Sequence, residues 1–274
     1  MMEPLVRLDT EFKEKVWGSA RLEPWYESDG RQIGEVWFTN ARPLPLLVKF
    51  IFTEENLSVQ VHPNDAFAGR HEHSRGKTEM WHILRAAPGA KVALGFREEI
   101  APERLRAAAI SGEIMDLLNW FEARPGDTFF IPAGTVHAIG AGLALCEVQQ
   151  QSDVTYRLYD YGRGRELHLE KGLQVANRGV HPGYAKAEPL AGGGSLLVEC
   201  DYFRTELRSF AGALEHRPNG KSPEILVFLR GEGLIAGKPF RLGEAWLSSG
   251  GESIAIKPTG EVTILRTFVP QAAA

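Results

Sequence analysis

GDTFFIPAGTVH, residues 126–137, decides how the rest of the chain is read. Gly126-Asp127 is a turn pair, and Thr128 to Ile131 has the β-branched and aromatic content of a short strand. Pro132-Ala133-Gly134 ends that strand in a fixed turn. His137 then starts the next strand, pointing inward. The flanking sequence repeats the pattern of short strand and tight turn. Strand candidates lie at 34–39, 46–53, 57–62, 79–84, 91–96, 128–132, 143–150 and 155–160. A second set lies at 195–209, 223–230, 232–236, 245–247, 252–257 and 261–268. This density predicts a barrel or sandwich.

Two stretches depart from it. From Ala101 to Glu122 the apolar spacing turns helical: Pro102 suits a first helical turn, and Ile114, Leu117, Leu118 and Phe121 fall on one helix face. A second helix is expected over 170–177. The Gly-rich segment 187–195 reads as a linker, which divides the chain into residues 1–187, carrying the helical insert near 101–122, and residues 188–274. A faint repeat crosses that division. Gly126-Asp127 and Gly243-Glu244 both open a short strand that ends in a turn, and the same offset sets Ile254 against His137. If the copies are related, chemistry belongs to the first barrel only, and the second, degenerate β-barrel lacks metal ligands.

The chain has 274 residues, against about 150 per domain as a soft prior. Hydrophobic residues make up 43% and charged residues 24%, the balance of a globular protein with a packed core. Lys and Arg number 31 against 35 Asp and Glu, a net charge of −4, so no basic surplus exists to neutralise a phosphate backbone, and nucleic acid is not expected as a partner. The longest apolar run, LPLLVKFIF, is broken by Lys49 and is too short to span a bilayer. Residues 1–15 lack the apolar core of a signal peptide. A cytoplasmic protein without a membrane partner is expected. Two cysteines, Cys146 and Cys200, are too few for a disulfide framework or a four-thiolate metal site.

Chemistry concentrates in three places. In Leu57-Ser58-Val59-Gln60-Val61-His62-Pro63 strand alternation points Gln60 and His62 to one face. They are two ligands of one metal or the polar face of an edge strand. In Gly76-Lys77-Thr78-Glu79-Met80-Trp81-His82 the Glu79 carboxylate shares a face with Trp81 and Ile83. It needs a partner there, a metal or Lys77, unless it lies at the surface beside a turn. The third place is 126–137, which fits G(x)5PxG(x)2H, the second metal motif of cupin barrels. Gln60, His62, Glu79 and His137 together offer nitrogen and oxygen without thiolate, a set suited to Zn²⁺ or another first-row divalent ion. Ligands from separate strands converge only inside a closed barrel. His71 and His73 sit between glycines and charges, as a solvated loop does. His82 is out of phase with Glu79, Cys146 is out of phase with Glu147 and reads as packing, and His168, His181 and His216 have no partner pattern.

In its ordered motifs the sequence resembles the type I mannose-6-phosphate isomerase family in its short bacterial form. The resemblance rests on Val16-Trp17-Gly18, Ile33-Gly34-Glu35-Val36-Trp37, Leu46-Leu47-Val48-Lys49-Phe50, Gln60-Val61-His62-Pro63-Asn64-Asp65 and Gly76-Lys77-Thr78-Glu79-Met80-Trp81. It continues through Pro132-Ala133-Gly134-Thr135-Val136-His137-Ala138-Ile139-Gly140, Glu147-Val148-Gln149-Gln150 and Ser152-Asp153-Val154-Thr155-Tyr156-Arg157, and covers roughly residues 14–165. The resemblance implies a mostly β fold: a cupin-type (jelly-roll) barrel with a small helical insert, followed by the degenerate barrel. It implies an aldose–ketose isomerase acting on a small sugar phosphate through a cis-enediol, with one Zn²⁺ per chain on Gln60, His62, Glu79 and His137. Arg157 falls on the family's active-site arginine, and Lys77 and Glu147 on charged residues of the sugar site. Trp17 matches an aromatic near it, and Asp153 is assigned to substrate binding. Glu147, inward between apolar neighbours, is expected to have a raised pKa unless paired, which suits a general base; Lys77 is its rival. No phosphate-binding cluster is recognisable by motif. A non-catalytic sugar-binding cupin and an Fe(II)-dependent oxygenase are the alternatives, and Gln60 argues against the second. Oligomeric state leaves no mark in the sequence.

Overall fold

The computed structural model describes residues 4–220 and 222–271, so the outer limits of the two expected units, residues 1 and 274, lie outside the described residues. Among the described residues the chain forms four β-sheets. A six-stranded antiparallel sheet runs Asp9–Ser19, Ile33–Thr39, Leu46–Phe52, Leu143–Gln150, Glu79–Ala86 and Thr128–Ile131. Against its inner face lies a five-stranded sheet: Tyr156–Tyr159, Val59–Val61, His137–Ile139, Lys91–Phe96 and Leu118–Glu122. Trp81, Ile83, Leu143 and Leu145 from the first sheet meet Val92, Leu94 and Ile139 from the second in the barrel interior. The mostly β, cupin-type architecture expected from the sequence is the one the chain adopts.

Strand alternation explains how one sheet serves two cores. All eight residues of Leu143–Gln150 are buried. Leu143 and Leu145 point into the barrel, while Ala144, Cys146 and Val148 point the other way. There they pack on Ile225, Val227, Leu229 and Leu265. Those residues belong to a seven-stranded sheet that also holds Glu224–Arg230, Val262–Phe268, Arg204–Phe210 and Ala245–Ser248. A four-stranded sheet, Leu214–His216, Ile254–Pro258, Glu232–Ile235 and Lys238–Arg241, closes the second barrel. Its interior is built from Leu226, Phe228, Trp246, Ile254, Ile256 and Ile264. Strand Leu5–Arg7 joins the edge of the seven-stranded sheet by pairing with Ala245–Ser248.

The helical expectation over 101–122 is half met. A helix spans Pro102–Ser111, with Pro102 in its first turn. Gly112, at φ +90°, caps it in the left-handed conformation. After a second, one-turn helix at Ile114–Leu117 the chain enters strand Leu118–Glu122, paired with Lys91–Phe96. Ile114 and Leu117 still face the helix core, with Leu105, Ala108 and Ala109. Their helical spacing therefore came from two elements that share one core. The second expected helix lies at Leu169–Val175. The segment read as a linker, 187–195, is a hairpin turn between Glu188–Pro189 and Ser195–Glu199, made by Gly192, Gly193 and Gly194 at positive φ. Among the described residues no helix is long and apolar enough to cross a membrane.

The second barrel buries charge as well. Glu224 is fully buried and accepts from His216 Nε2 at 3.0 Å, from the Asn219 N–H at 2.7 Å and from Arg266 Nε at 2.9 Å. Burial alone would raise its pKa, but the hydrogen bonds from His216 and Arg266 outweigh it and pull the carboxyl down to about 2. A carboxyl lowered on folding stabilises above its unfolded value of about 4.3 and loses that contribution as the pH falls toward the folded value. Urea midpoints of the native chain and Glu224→Gln should therefore differ most at neutral pH and converge between pH 4 and 2. A gap that stays constant over that range contradicts this account of the cluster.

Candidate metal centre

Three elements bring the site together. Strand Val59–Val61 turns Val59 and Val61 outward onto the helices, so Gln60 faces the interior and His62 follows in the same phase. In the five-stranded sheet His137 pairs with Gln60 on one side, and Gln60 pairs with Arg157 on the other. These three residues occupy one rung. From the facing sheet comes Glu79, at the start of Glu79–Ala86. The Pro132–Gly134 turn anchors the arrangement. Gly134 N–H donates to His62 O at 2.8 Å, and Ala133 N–H donates to Thr78 Oγ1 at 3.1 Å. Gly134 sits at φ +89°, and an added Cβ would come within 3.0 Å of Val175 O, which is why the turn takes glycine.

Donor atoms of His62, Glu79 and His137 all lie within 4.8 Å of one another. Nε2 of His62 is 3.5 Å, and Nε2 of His137 3.6 Å, from the Glu79 carboxylate. Each Nδ1 faces a backbone carbonyl, Val154 O at 3.0 Å and Thr135 O at 2.9 Å. A carbonyl only accepts, so each Nδ1 carries the hydrogen, and each Nε2 is left bare toward Glu79. Burial, then the Lys77 and His137 charges, hold His62 well below the usual histidine range, and burial lowers His137 to about 4. Two neutral imidazoles and one carboxylate form a donor set that fits a divalent first-row ion.

Beside this set runs a line of buried charges. Lys77 Nζ lies 2.7 Å from Glu79, 3.0 Å from His62 Nε2 and 3.7 Å from Glu147. Glu147 also meets Lys49 Nζ at 3.0 Å and accepts from Trp81 Nε1 at 2.9 Å. Lys49 reaches Glu35 at 3.9 Å, and Glu35 reaches Lys15 at 3.6 Å. Glu79 is pushed upward by burial and by the Glu147 charge. Burial would raise Glu147 too, but Lys49 and Lys77 outweigh it and hold the carboxyl below its ordinary value. The raised pKa expected for an unpaired Glu147 does not apply, because the residue is paired on both sides.

These groups line a cleft of about 270 Å³. Trp17 forms part of its wall, 3% exposed, and Asp153 stands exposed at the rim. Arg157 also lines the cleft, with one arm on Glu166 O at 2.7 Å. Among the described residues its buried Nε has no hydrogen-bond partner. Arg165 reaches the cleft while forked onto Asp160, which also pairs with Arg163 at 3.0 Å. The predicted residues Gln60, His62, Lys77, Glu79, His137, Glu147, Asp153, Arg157 and Trp17 thus share one cleft.

Other histidines stand apart. His82 is on the opposite strand face, at 3.0 Å from Thr128 Oγ1. His71 and His73 are exposed, and His71 ends an unforeseen helix, Asp65–His71. His168 bonds the Arg157 backbone, with Nδ1 accepting from Arg157 N–H at 3.2 Å. Sequence reasoning missed Lys49, Glu35, Lys15, Ser58 and Arg165 as cleft residues. The available signal was Lys49, a lone charge within an apolar strand.

No family model matches the chain. It is 33% identical over 290 residues to Mannose-6-phosphate isomerase ManA of Bacillus subtilis (strain 168), covering 86% of this chain and 90% of that protein. It is also 33% identical over 282 residues to the mannose-6-phosphate isomerase of Streptococcus mutans, covering 86% and 87%. In three dimensions it matches the crystal structure of the mannose 6-phosphate isomerase from Bacillus subtilis with a TM-score of 0.87 at 27% identity, over 97% of this chain and 99% of that one.

His62→Ala and His137→Ala should each weaken divalent-ion binding at least about 100-fold, since each removes a ligand, whereas His71→Ala should leave it unchanged. Equilibrium dialysis with elemental analysis reads this directly. Undiminished binding in both ligand variants would put the ion elsewhere.

Proposed function

Because the chain belongs to the mannose-6-phosphate isomerase family, we propose that it interconverts mannose 6-phosphate and fructose 6-phosphate, with one Zn²⁺ per chain on Gln60, His62, Glu79 and His137. The reading is carried by one observation: the imidazole pair and Glu79 share a single cleft with a second carboxylate, Glu147, that is held ionised. The bound ion would polarise the sugar carbonyl and steady the neighbouring hydroxyl.

The protein's own groups handle the proton. Isomerisation moves a carbon-bound proton between C2 and C1, and a hydroxyl proton between O2 and O1, through a cis-enediol, so a base must take the first from one carbon and return it to the other. Glu147 is ionised at neutral pH and is fixed by Lys49 and Trp81, which suits that task. Lys77 lies between Glu147 and the ligand set, where its ammonium can donate to the sugar oxygen that becomes a hydroxyl and recover a proton from the one that becomes the carbonyl. Arg157, one rung-step from Gln60 and with a free Nε donor, stabilises the enediol oxygens. Trp17 walls the sugar and Asp153 accepts from one of its hydroxyls at the rim. Our reading of the phosphate site rests on basic residues that no motif announced. Arg157, Arg163 and Arg165 crowd around the single Asp160 carboxylate, and Lys15 and Ser58 share the cleft. We assign the phosphate to Arg165, Lys15 and Ser58. Two unpaired cysteines fit a reducing compartment, and we place the enzyme in the cytoplasm.

Glu147→Gln should cut turnover by about 10²–10⁴-fold with bound metal unchanged. Full retained activity would remove Glu147 from the mechanism. Arg165→Ala should raise KM for mannose 6-phosphate by about tenfold and leave the slower turnover of mannose untouched, since only the phosphorylated sugar loses a charge-assisted bond. If both sugars suffer equally, the phosphate is held elsewhere. Assays with metal analysis separate the alternatives: binding without turnover identifies a sugar-binding protein, and iron with oxygen consumption an oxygenase.

A further inference from the structure

The interiors of the two barrels correspond rung by rung. Glu79 begins the strand on which Trp81 pairs with Glu147 and with Phe129. Glu224 begins the strand on which Leu226 pairs with Arg266 and with Trp246. Lys49 stands opposite Glu147, and Glu206 stands opposite Arg266. His137 pairs with Gln60, and Ile254 pairs with His216. Gly126 and Gly243, at φ +94° and +82°, precede the strands Thr128–Ile131 and Ala245–Ser248 at the offset seen in the sequence.

This register sets His216 at the Gln60 position, Glu224 at Glu79, Ile254 at His137, Glu206 at Lys49 and Arg266 at Glu147. Of the four ligand positions, two keep nitrogen and oxygen donors, Ile254 replaces His137, and Pro218 falls at the offset of His62. The Lys49–Glu147 pair has changed sign. The second cluster is also closed. Arg266 is forked onto Glu224, donates to Glu206 Oε2 at 3.1 Å and is 8% exposed, while His216 takes the remaining side of Glu224.

We propose that residues 188–274 form a converted copy of the first barrel, in which the Arg266 guanidinium is the resident cation of a former metal site. A guanidinium keeps its charge at any physiological pH and meets a carboxylate with two parallel N–H bonds. It therefore holds Glu224 and Glu206 together without exchange with solvent, as a bound ion would, and needs one imidazole fewer. The native second barrel takes no metal, yet it retains two donor residues of a site for a first-row divalent ion.

The test uses the full-length chain with Co²⁺ as the probe. Arg266→Met leaves Glu224 and Glu206 buried without their cation and should lower the thermal midpoint by about 10 °C. The double substitution R266A/I254H restores the imidazole and clears the cation. It should bind one more equivalent of Co²⁺ than the native chain, with visible absorption of a low-symmetry site, and Co²⁺ should recover much of its lost midpoint. Counting the difference from the native chain makes the result independent of what the first barrel holds. A midpoint unchanged in Arg266→Met overturns the proposal, whether or not the double variant folds. So does a folded double variant with no additional Co²⁺.

Discussion

Lys49 and Glu147, 3.0 Å apart and each under 5% exposed, set the terms for the first barrel. Neither charge is tolerable in that interior alone, because an unpaired buried ion costs several kcal/mol, about 3–5 when one partner of a pair is removed. Each is therefore compensated, and the compensation propagates: Lys15, Glu35, Lys49, Glu147, Lys77 and Glu79 alternate in sign from the cleft toward the imidazoles. The barrel is divided by this line. Ile83, Leu143 and Leu145 pack one end, and the charged residues occupy the other. A polar interior of this kind is a poor device for stability and a good one for holding side chains in fixed places.

Much of this was legible in the sequence, and the reasons are physical. Gln60 and His62 announce themselves by strand period, and the Pro-Ala-Gly turn before His137 has a fixed shape that carries its histidine inward. Glu79 was legible because a carboxylate on the same strand face as Trp81 and Ile83 needs compensation unless it lies at the surface. What escaped notice depends on contacts distant in the chain. Lys49 sits in a strand buried on both faces, where the apolar run hides the period that would have marked it as inward. Arg165 comes from a loop, so nothing local tells it from a surface arginine. Strand Asp9–Ser19 was missed because it is a mostly exposed edge, with little apolar alternation to read. The helical insert near 101–122 was legible, but not that it breaks at Gly112 and ends in strand Leu118–Glu122, because Ile114 and Leu117 share a core with the preceding helix.

The two barrels also share their middle. Cys146 and Val148 from one sheet and Val227 and Leu265 from another belong to the same apolar cluster, so the outer face of each barrel is the other's core. Neither has a finished surface on that side. This explains why Leu143–Gln150 and Leu46–Phe52 are buried along their whole length although each carries a charge. It also gives the second barrel a structural task, since it covers the sheet that presents Lys49, Glu79 and Glu147 to the cleft.

Strand Leu5–Arg7 takes its place only when Ala245–Ser248 is present to receive it. On a ribosome working at about 5–20 residues per second, those partners are made tens of seconds apart. Residues 5–7 must wait until that strand is made, their backbone groups satisfied meanwhile by water. Pairing of Leu5–Arg7 with Ala245–Ser248 therefore ties an early-made strand to a late-made one, so a nascent chain released between the two lacks that stitch.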